Sequence, residues 1–261
     1  HSVGQSYHNG YELDRVFNLS AEVASKDDII NVVGFLMSIN LIRKLYKKFF
    51  KKICPLNQFI CEESYRYQAE VFSKINSKAL LDGYWQTERY FDSHRKDIIK
   101  DFEFKVDGIS AKNSELLELI SNSDSVSIHV RRGDYLTNSK AKSIHGVCSE
   151  EYYFSAIRRI LEEYPEAKLF AFSDDHAWVE NTLQKKFKDI TIVQNNSGIN
   201  SHYDMYLMSQ CKHNIIANSS FSWWGAWLNT YSEKIIIAPK NWFLDAKINT
   251  KDLIPESWLK L

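Results

Sequence analysis

No charge of one sign dominates the chain: Lys and Arg total 33, Asp and Glu total 33, and the formal net charge is zero. A balanced chain sets up no whole-molecule field toward nucleic acid, so any anion site has to be local. Cysteine is scarce. Cys54, Cys61, Cys148 and Cys211 include no Cys-x-x-Cys pair, and no histidine follows at zinc-ligand spacing. They read as free thiols in a reducing compartment. No apolar run approaches the ~20 residues of a membrane span, and no leader peptide is visible. There is also no Asp-x-Asp pair placed for a metal. The chain opens at His1 without an initiator methionine, so a preceding segment is expected.

What is present suits one large domain or two modest ones. The 261 residues are 44% hydrophobic and 25% charged, an ordinary globular balance. Aromatics make up 14%, and Phe221, Trp223, Trp224 and Trp227 cluster. Such a group either fills a core or offers flat apolar faces to a sugar ring.

Two grammars divide the chain, with the boundary placed at 122/123. The first part is polar, irregular and mostly helical. Its clearest feature is Leu41 to Lys52, LIRKLYKKFFKK. Arg43, Lys44, Lys47, Lys48, Lys51 and Lys52 recur in pairs every four positions, with Leu41, Ile42, Leu45, Tyr46, Phe49 and Phe50 opposite. This spacing predicts an amphipathic basic helix, either a solvated cationic face over a packed one or an element that meets an anionic membrane or a lipid-linked acceptor.

From Ser125 onward the period changes. Strand signals at Ser125–Val130, Lys168–Phe172, Ile190–Val193, Asn214–Ala217 and Ile235–Ala238 alternate with helical ones at Glu150–Glu163, His176–Phe187, Ser201–Cys211 and Ser219–Asn229. That alternation predicts βαβ units on a parallel, Rossmann-like sheet, where ligands gather at the carboxyl ends of strands.

The first strand runs into His129-Val130-Arg131-Arg132-Gly133-Asp134-Tyr135. Two adjacent guanidinium groups beside a glycine form a clamp for phosphate oxygens and hold their charge at any working pH. A departing nucleoside diphosphate needs such fixed cations or a metal. An internal ion pair with Asp134 is the structural alternative, and both can hold at once. The second strand ends in Asp174-Asp175, which either cap the next helix or hold a sugar hydroxyl. Asp204 opens the third helix, as a first-turn acid or as an acceptor for the paired N–H donors of guanine. Ser219 and Ser220, followed by Phe221, open the fourth helix, as N-caps or as the other half of a phosphate cradle.

HVRRGDY, then FSDD, then NSSFSWWGAWL resemble, in order and spacing, the motifs of the α-1,2-fucosyltransferases, glycosyltransferase family 11. HNGYELDRVFNL and the closing PESWLKL are similar to the family too, and the match runs from about Ser125 to the end. The resemblance implies a GT-B arrangement of two Rossmann-like domains: 1–122 the acceptor side, helix-rich and incomplete, and 123–261 the GDP-fucose-binding domain. It also implies a strand and Gly-rich loop at the start of the first domain, which this sequence lacks. The expected reaction is metal-independent, inverting transfer of L-fucose from GDP-β-L-fucose to the 2-hydroxyl of a terminal galactose. By carry-over, Arg131 binds the β-phosphate with Arg132 in support, and His129 and Asp204 contact the guanosine. Ser219, Ser220 and Phe221 line the diphosphate, while Asp174 and Asp175 lie near the nucleotide or fucose. Arg131 and Asp134 stand as the catalytic candidates, and no cofactor is expected.

Two other readings compete: the same fold with another nucleotide sugar, and a non-catalytic glycan-binding module. The expected partners are GDP-fucose and a galactose-ended or lipid-linked glycan, with peripheral membrane contact through residues 41–52 and no nucleic acid. Unpaired thiols favour a bacterial cytoplasm, at or near the inner membrane face, over a Golgi lumen. The sequons at Asn18, Asn195 and Asn218 speak for the latter, but Asn218 falls inside the proposed cradle.

Overall fold

The computed structural model describes residues 11–50, 58–62, 64–75 and 77–261. Two compact units emerge. One comprises residues up to Leu19, Ile99–Lys247 and Glu256–Leu261; the other comprises Ser20–Ile98 and Ile248–Pro255.

The smaller unit is helix-rich. Helix α1, Lys26–Ser38, starts from a capping box in which the Ser25 hydroxyl accepts from the Asp28 N–H and the Asp28 carboxylate accepts from the Ser25 N–H. Gly34 breaks its regularity with φ 81°, a conformation that glycine adopts without a Cβ clash. Helix α2, Asn40–Leu45, continues through a wider turn, Tyr46–Phe50. Strands β1, Phe59–Cys61, and β2, Leu80–Asp82, pair in parallel. Met37, Tyr46, Phe59 and Cys61 form the core here. The returning segment 248–255 is held by Asp252, which accepts from the Tyr67 N–H at 3.0 Å and from Arg89 at 3.1 Å.

The expected basic helix is present over the described residues, its last turn widened from Tyr46 on, and its apolar row divides. Ile42 and Tyr46 pack inward, whereas Leu41, Leu45 and Phe49 are exposed. Lys51 and Lys52 lie outside the described residues, as do Cys54 and the start of the HNGYELDRVFNL stretch.

The larger unit is α/β. Helix α3, Ala111–Ser121, precedes β3, Ser125–Val130. Then come α4, Gly133–Thr137; α5, Glu150–Leu161; and β4, Lys168–Ser173. Next are β5, Ile190–Val193; α6, His202–Gln210; and β6, His213–Ile215. The unit closes with α7, Ser220–Trp227; β7, Ile236–Ala238; and β8, Leu259–Lys260. All six strands are parallel, in the order β5-β4-β3-β6-β7-β8. The order reverses between β3 and β6, and a doubly wound sheet opens its ligand crevice at that point.

One face of the sheet packs Val126, Ile128 and Val130 of β3 beneath Tyr153, Ala156, Ile157 and Ile160 of α5. The other packs Phe170, Phe172 and Val193 against Ile120 of α3 and Leu207 and Met208 of α6. This second layer moves the division away from 122/123. Ile120 is fully buried on the sheet, and Phe17 bridges to Phe104 as an isolated antiparallel pair with their rings 4.7 Å apart. Residues 11–19 and 99–122 thus belong with the parallel sheet. Trp223 and Trp227 are core residues rather than sugar platforms, and Trp224 stacks on Phe102 at 5.3 Å.

Candidate active site

Strand β3 carries a polar row as well as an apolar one. Ser125, Ser127 and His129 alternate with the valines and isoleucine, and all are buried. The Ser125 hydroxyl accepts from the Lys212 N–H at 3.1 Å and that of Ser127 from the Asn214 amide at 2.7 Å. His129, last in the row, has a buried Nδ1 without a hydrogen-bond partner among the described residues. Burial, reinforced by the nearby Arg131 charge, lowers its pKa to about 4, so the ring is neutral at physiological pH. Its ring centroid lies 5.7 Å from that of Phe221, at the start of α7.

The register of β3 with β4 arranges the charged residues beyond the strand ends. Val130 sits opposite Ser173, so the next residues, Arg131-Arg132 and Asp174-Asp175, leave the sheet side by side. Arg131 bridges Asp174 at 3.0 Å and Asp134 at 2.9 Å. The Nε of Arg132 donates to Asp175 at 3.2 Å, and its guanidinium lies 4.5 Å from the Trp178 ring centroid. Asp174 does more than neutralise charge. One of its oxygens accepts the Arg132 backbone N–H at 2.8 Å, and its carboxyl fills the space over Gly133, where a Cβ would meet Oδ2 at 2.9 Å. Asp175 caps the next helical turn by accepting the Trp178 N–H at 3.0 Å.

The loop after β3 is tied to the one after β6. The Tyr135 hydroxyl donates to the Asn218 carbonyl at 3.1 Å. Asn218 is buried, and its amide donates to the carbonyls of His145 at 2.9 Å and Trp242 at 3.2 Å. Ser219 is the N-cap residue of α7, yet its side chain makes no cap hydrogen bond, and Ser220 is exposed. A buried Asn218 holding three segments together also excludes a glycan at that sequon.

Asp204 stands apart from the arginines, beyond β5 at the same carboxyl edge of the sheet. It accepts from Asn196 at 2.7 Å, and Asn196 in turn bonds to the buried Asn113 of α3 at 2.9 Å. Burial raises the Asp204 pKa to about 7, opposed in part by the Asn196 donor. The sequence motifs point to neither Asn113, Asn196 nor Trp178 as site residues. Trp178 has a signal, three residues after the FSDD aspartates; Asn113 has none.

Adjacent arginines, a small-residue helix start and a neutral histidine meet at the switch point of a parallel six-stranded sheet. The chain is a glycosyltransferase. It belongs to glycosyl transferase family 11, whose sequence pattern matches residues 36–261. Among related proteins, an α-1,2-colitosyltransferase of Escherichia coli is 36% identical over 97% of this chain and 84% of its own length. The O-antigen biosynthesis glycosyltransferase WbnK of Escherichia coli is 38% identical over 77% of this chain and 69% of its own. Among solved structures, the fucosyltransferase NodZ from Bradyrhizobium is similar over 82% of this chain and 75% of its own. Its TM-score is 0.48, with 17% sequence identity.

Proposed function

We propose that the chain transfers L-fucose from GDP-β-L-fucose to the 2-hydroxyl of a terminal galactose, with inversion and with arginine side chains in place of a metal. The observation that carries this reading is the pair Arg131-Arg132 at the end of β3, tied through Tyr135 to the Asn218–Ser220 turn across the switch point. In the reaction the bond from the sugar anomeric carbon to the diphosphate oxygen breaks, its electron pair passing to the β-phosphate. The acceptor oxygen bonds to the opposite face of that carbon, and its proton passes to solvent water. Arg131 stabilises the charge that develops on the leaving group, and Arg132 supports it. The Ser220 N–H and the hydroxyls of Ser219 and Ser220 face the diphosphate beside the Phe221 ring. Asp204, once ionised, accepts from the two guanine N–H donors, and His129 contacts the nucleoside.

Calorimetric titration of GDP, with UDP as control and EDTA present, tests the donor half. Selective, metal-free GDP binding that Arg131→Ala abolishes is the expected result; equal affinity for UDP overturns the guanine assignment. The colitosyl relative favours a second reading of the transferred sugar. Colitose is fucose without its 3-hydroxyl, and a site that hydrogen-bonds this hydroxyl rejects the deoxy sugar strongly, whereas an apolar site does not. Competition between GDP-fucose and GDP-colitose for transfer to a galactoside decides between them. The buried thiols of Cys148 and Cys211 support a reading as a cytoplasmic enzyme.

A further inference from the structure

Among the described residues, the helical stretch before β1 leaves six large apolar side chains uncovered. Phe35 is 61% exposed and Leu36 64%, with Ile39 beside them; Leu41, Leu45 and Phe49 follow at 66%, 47% and 54%. Positions 41, 45 and 49 share one face of a helix, and Lys44 and Lys48 form the adjacent stripe. Two other cations of the stretch are engaged inside the unit. Arg43 donates to the carbonyls of Met37 at 2.7 Å and Ser38 at 2.9 Å, and Lys47 pairs with Asp82 at 2.9 Å. What faces outward is therefore apolar residues flanked by Lys44 and Lys48, the latter 5.0 Å from the Phe49 ring centroid.

We propose that this bent helical pair, Lys26–Ser38 with Asn40–Phe49, seats the protein on an anionic lipid surface. The pair together has the length and composition of a membrane span, but its halves meet at 66°, and no single described helix is long and apolar enough to cross. An element of that kind lies in the interface, apolar side chains among the acyl chains and lysines at the headgroups. Exposed aromatic and aliphatic side chains on two helices set at an angle require of a protein partner a matching shape. A fluid bilayer requires none. Isolated exposed apolar residues are ordinary, whereas six within one bent pair mark an interaction surface. The lysines select the charge of the lipid, each adding to attraction toward an anionic headgroup layer.

The test is co-sedimentation of the full chain with vesicles of phosphatidylcholine alone and of about three parts phosphatidylcholine to one part phosphatidylglycerol. The expected result is binding to the mixed vesicles about tenfold above the neutral ones, lost at about 0.5 M NaCl. Two variants accompany it: Leu36→Ser with Phe49→Ser, and Lys44→Glu with Lys48→Glu. These side chains are exposed, so both variants keep the wild-type melting curve, and each lowers vesicle binding by about tenfold. A folded wild-type chain that stays in the supernatant overturns the proposal, and so does binding that neither variant weakens. Sedimentation equilibrium showing a self-associated species that Leu36→Ser with Phe49→Ser dissolves, with no vesicle binding, assigns the patch to a second copy and overturns it too.

Discussion

Arg131 and Arg132 sit side by side but do different work. Arg131 reaches two carboxylates with its terminal nitrogens, the groups a diphosphate would use, whereas Arg132 is committed through Nε to Asp175 and through its plane to Trp178. Arg131→Ala is expected to lower kcat by about 10²–10³-fold, the scale of losing one positioned donor. Arg131→Lys recovers little, because an ammonium cannot replace a planar fork. The two carboxylates on Arg131 separate by the same logic. The Asp134 carboxylate pairs with the guanidinium end of Arg131 and competes with phosphate for it, so Asp134→Asn is expected to tighten GDP binding several-fold. Asp174 also holds the Arg132 N–H and covers Gly133, so Asp174→Asn weakens binding instead. Titration of GDP into each variant, beside kcat, reads the difference; equal effects in the two would remove Asp134 from the competitor role.

Asp204 gives the residue scale a pH signature. Its folded-state pKa is raised, to about 7, above the ordinary carboxylate value. Between those values the folded chain keeps a proton that the unfolded chain has lost, so this group's contribution to stability falls as pH rises toward 7. Guanine recognition runs the other way, since only the carboxylate accepts both N–H donors. GDP affinity is expected to climb with pH up to about 7. UDP, with the same diphosphate, controls for phosphate ionisation. In Asp204→Asn the GDP and UDP pH profiles should run parallel; a GDP profile that still climbs more steeply than UDP's refutes the role.

At the scale of elements, the strands that carry the site are legible because a parallel sheet buried on both faces writes its strands as apolar runs. The strand signal Ser125–Val130 has the limits of the observed strand, although every second residue of it is polar, and the helical patterns after it match to within a few residues. Strand β8 is not legible, since Leu259–Lys260 is short and its place comes from pairing with β7. The Arg–Asp pairings are hidden by sequence distance, and the register of β3 on β4 brings them together. Asn113 and Asn196 lie outside any motif because the contact between α3 and the loop after β5 exists only in three dimensions. The ties between loops make a prediction of their own. Asn218→Ala leaves buried carbonyls unpaired and is expected to destabilise the larger unit by about 2–3 kcal/mol. Urea unfolding followed by tryptophan fluorescence measures this. Tyr135→Phe removes one hydrogen bond at the edge of the same network and is expected to cost about 1 kcal/mol.

Across the whole molecule, each unit is assembled from separated stretches of chain, which is why a single boundary drawn from composition misplaces the division. The sequence changes grammar near residue 123 because β3 is the first strand of the large sheet, yet the layer that covers one face of that sheet comes from before it. Ile120 of α3 is fully buried against Phe170, Phe172 and Val193, and Asn113 of the same helix supports the Asp204 cluster. A fragment beginning at residue 123 exposes that apolar face to water. It also leaves Asn196 without its partner on α3. The expected behaviour is secondary structure without cooperative melting, with strong binding of a hydrophobic dye, as in states that have lost specific packing. A fragment beginning at Ile99 restores α3 and is expected to melt cooperatively and bind GDP, because Arg131, Arg132, Asp174, Asp204 and the α7 start all lie within it. If instead the fragment from residue 123 melts cooperatively and binds GDP as well as the longer one, α3 is dispensable to the unit and the division at 122/123 is the functional one.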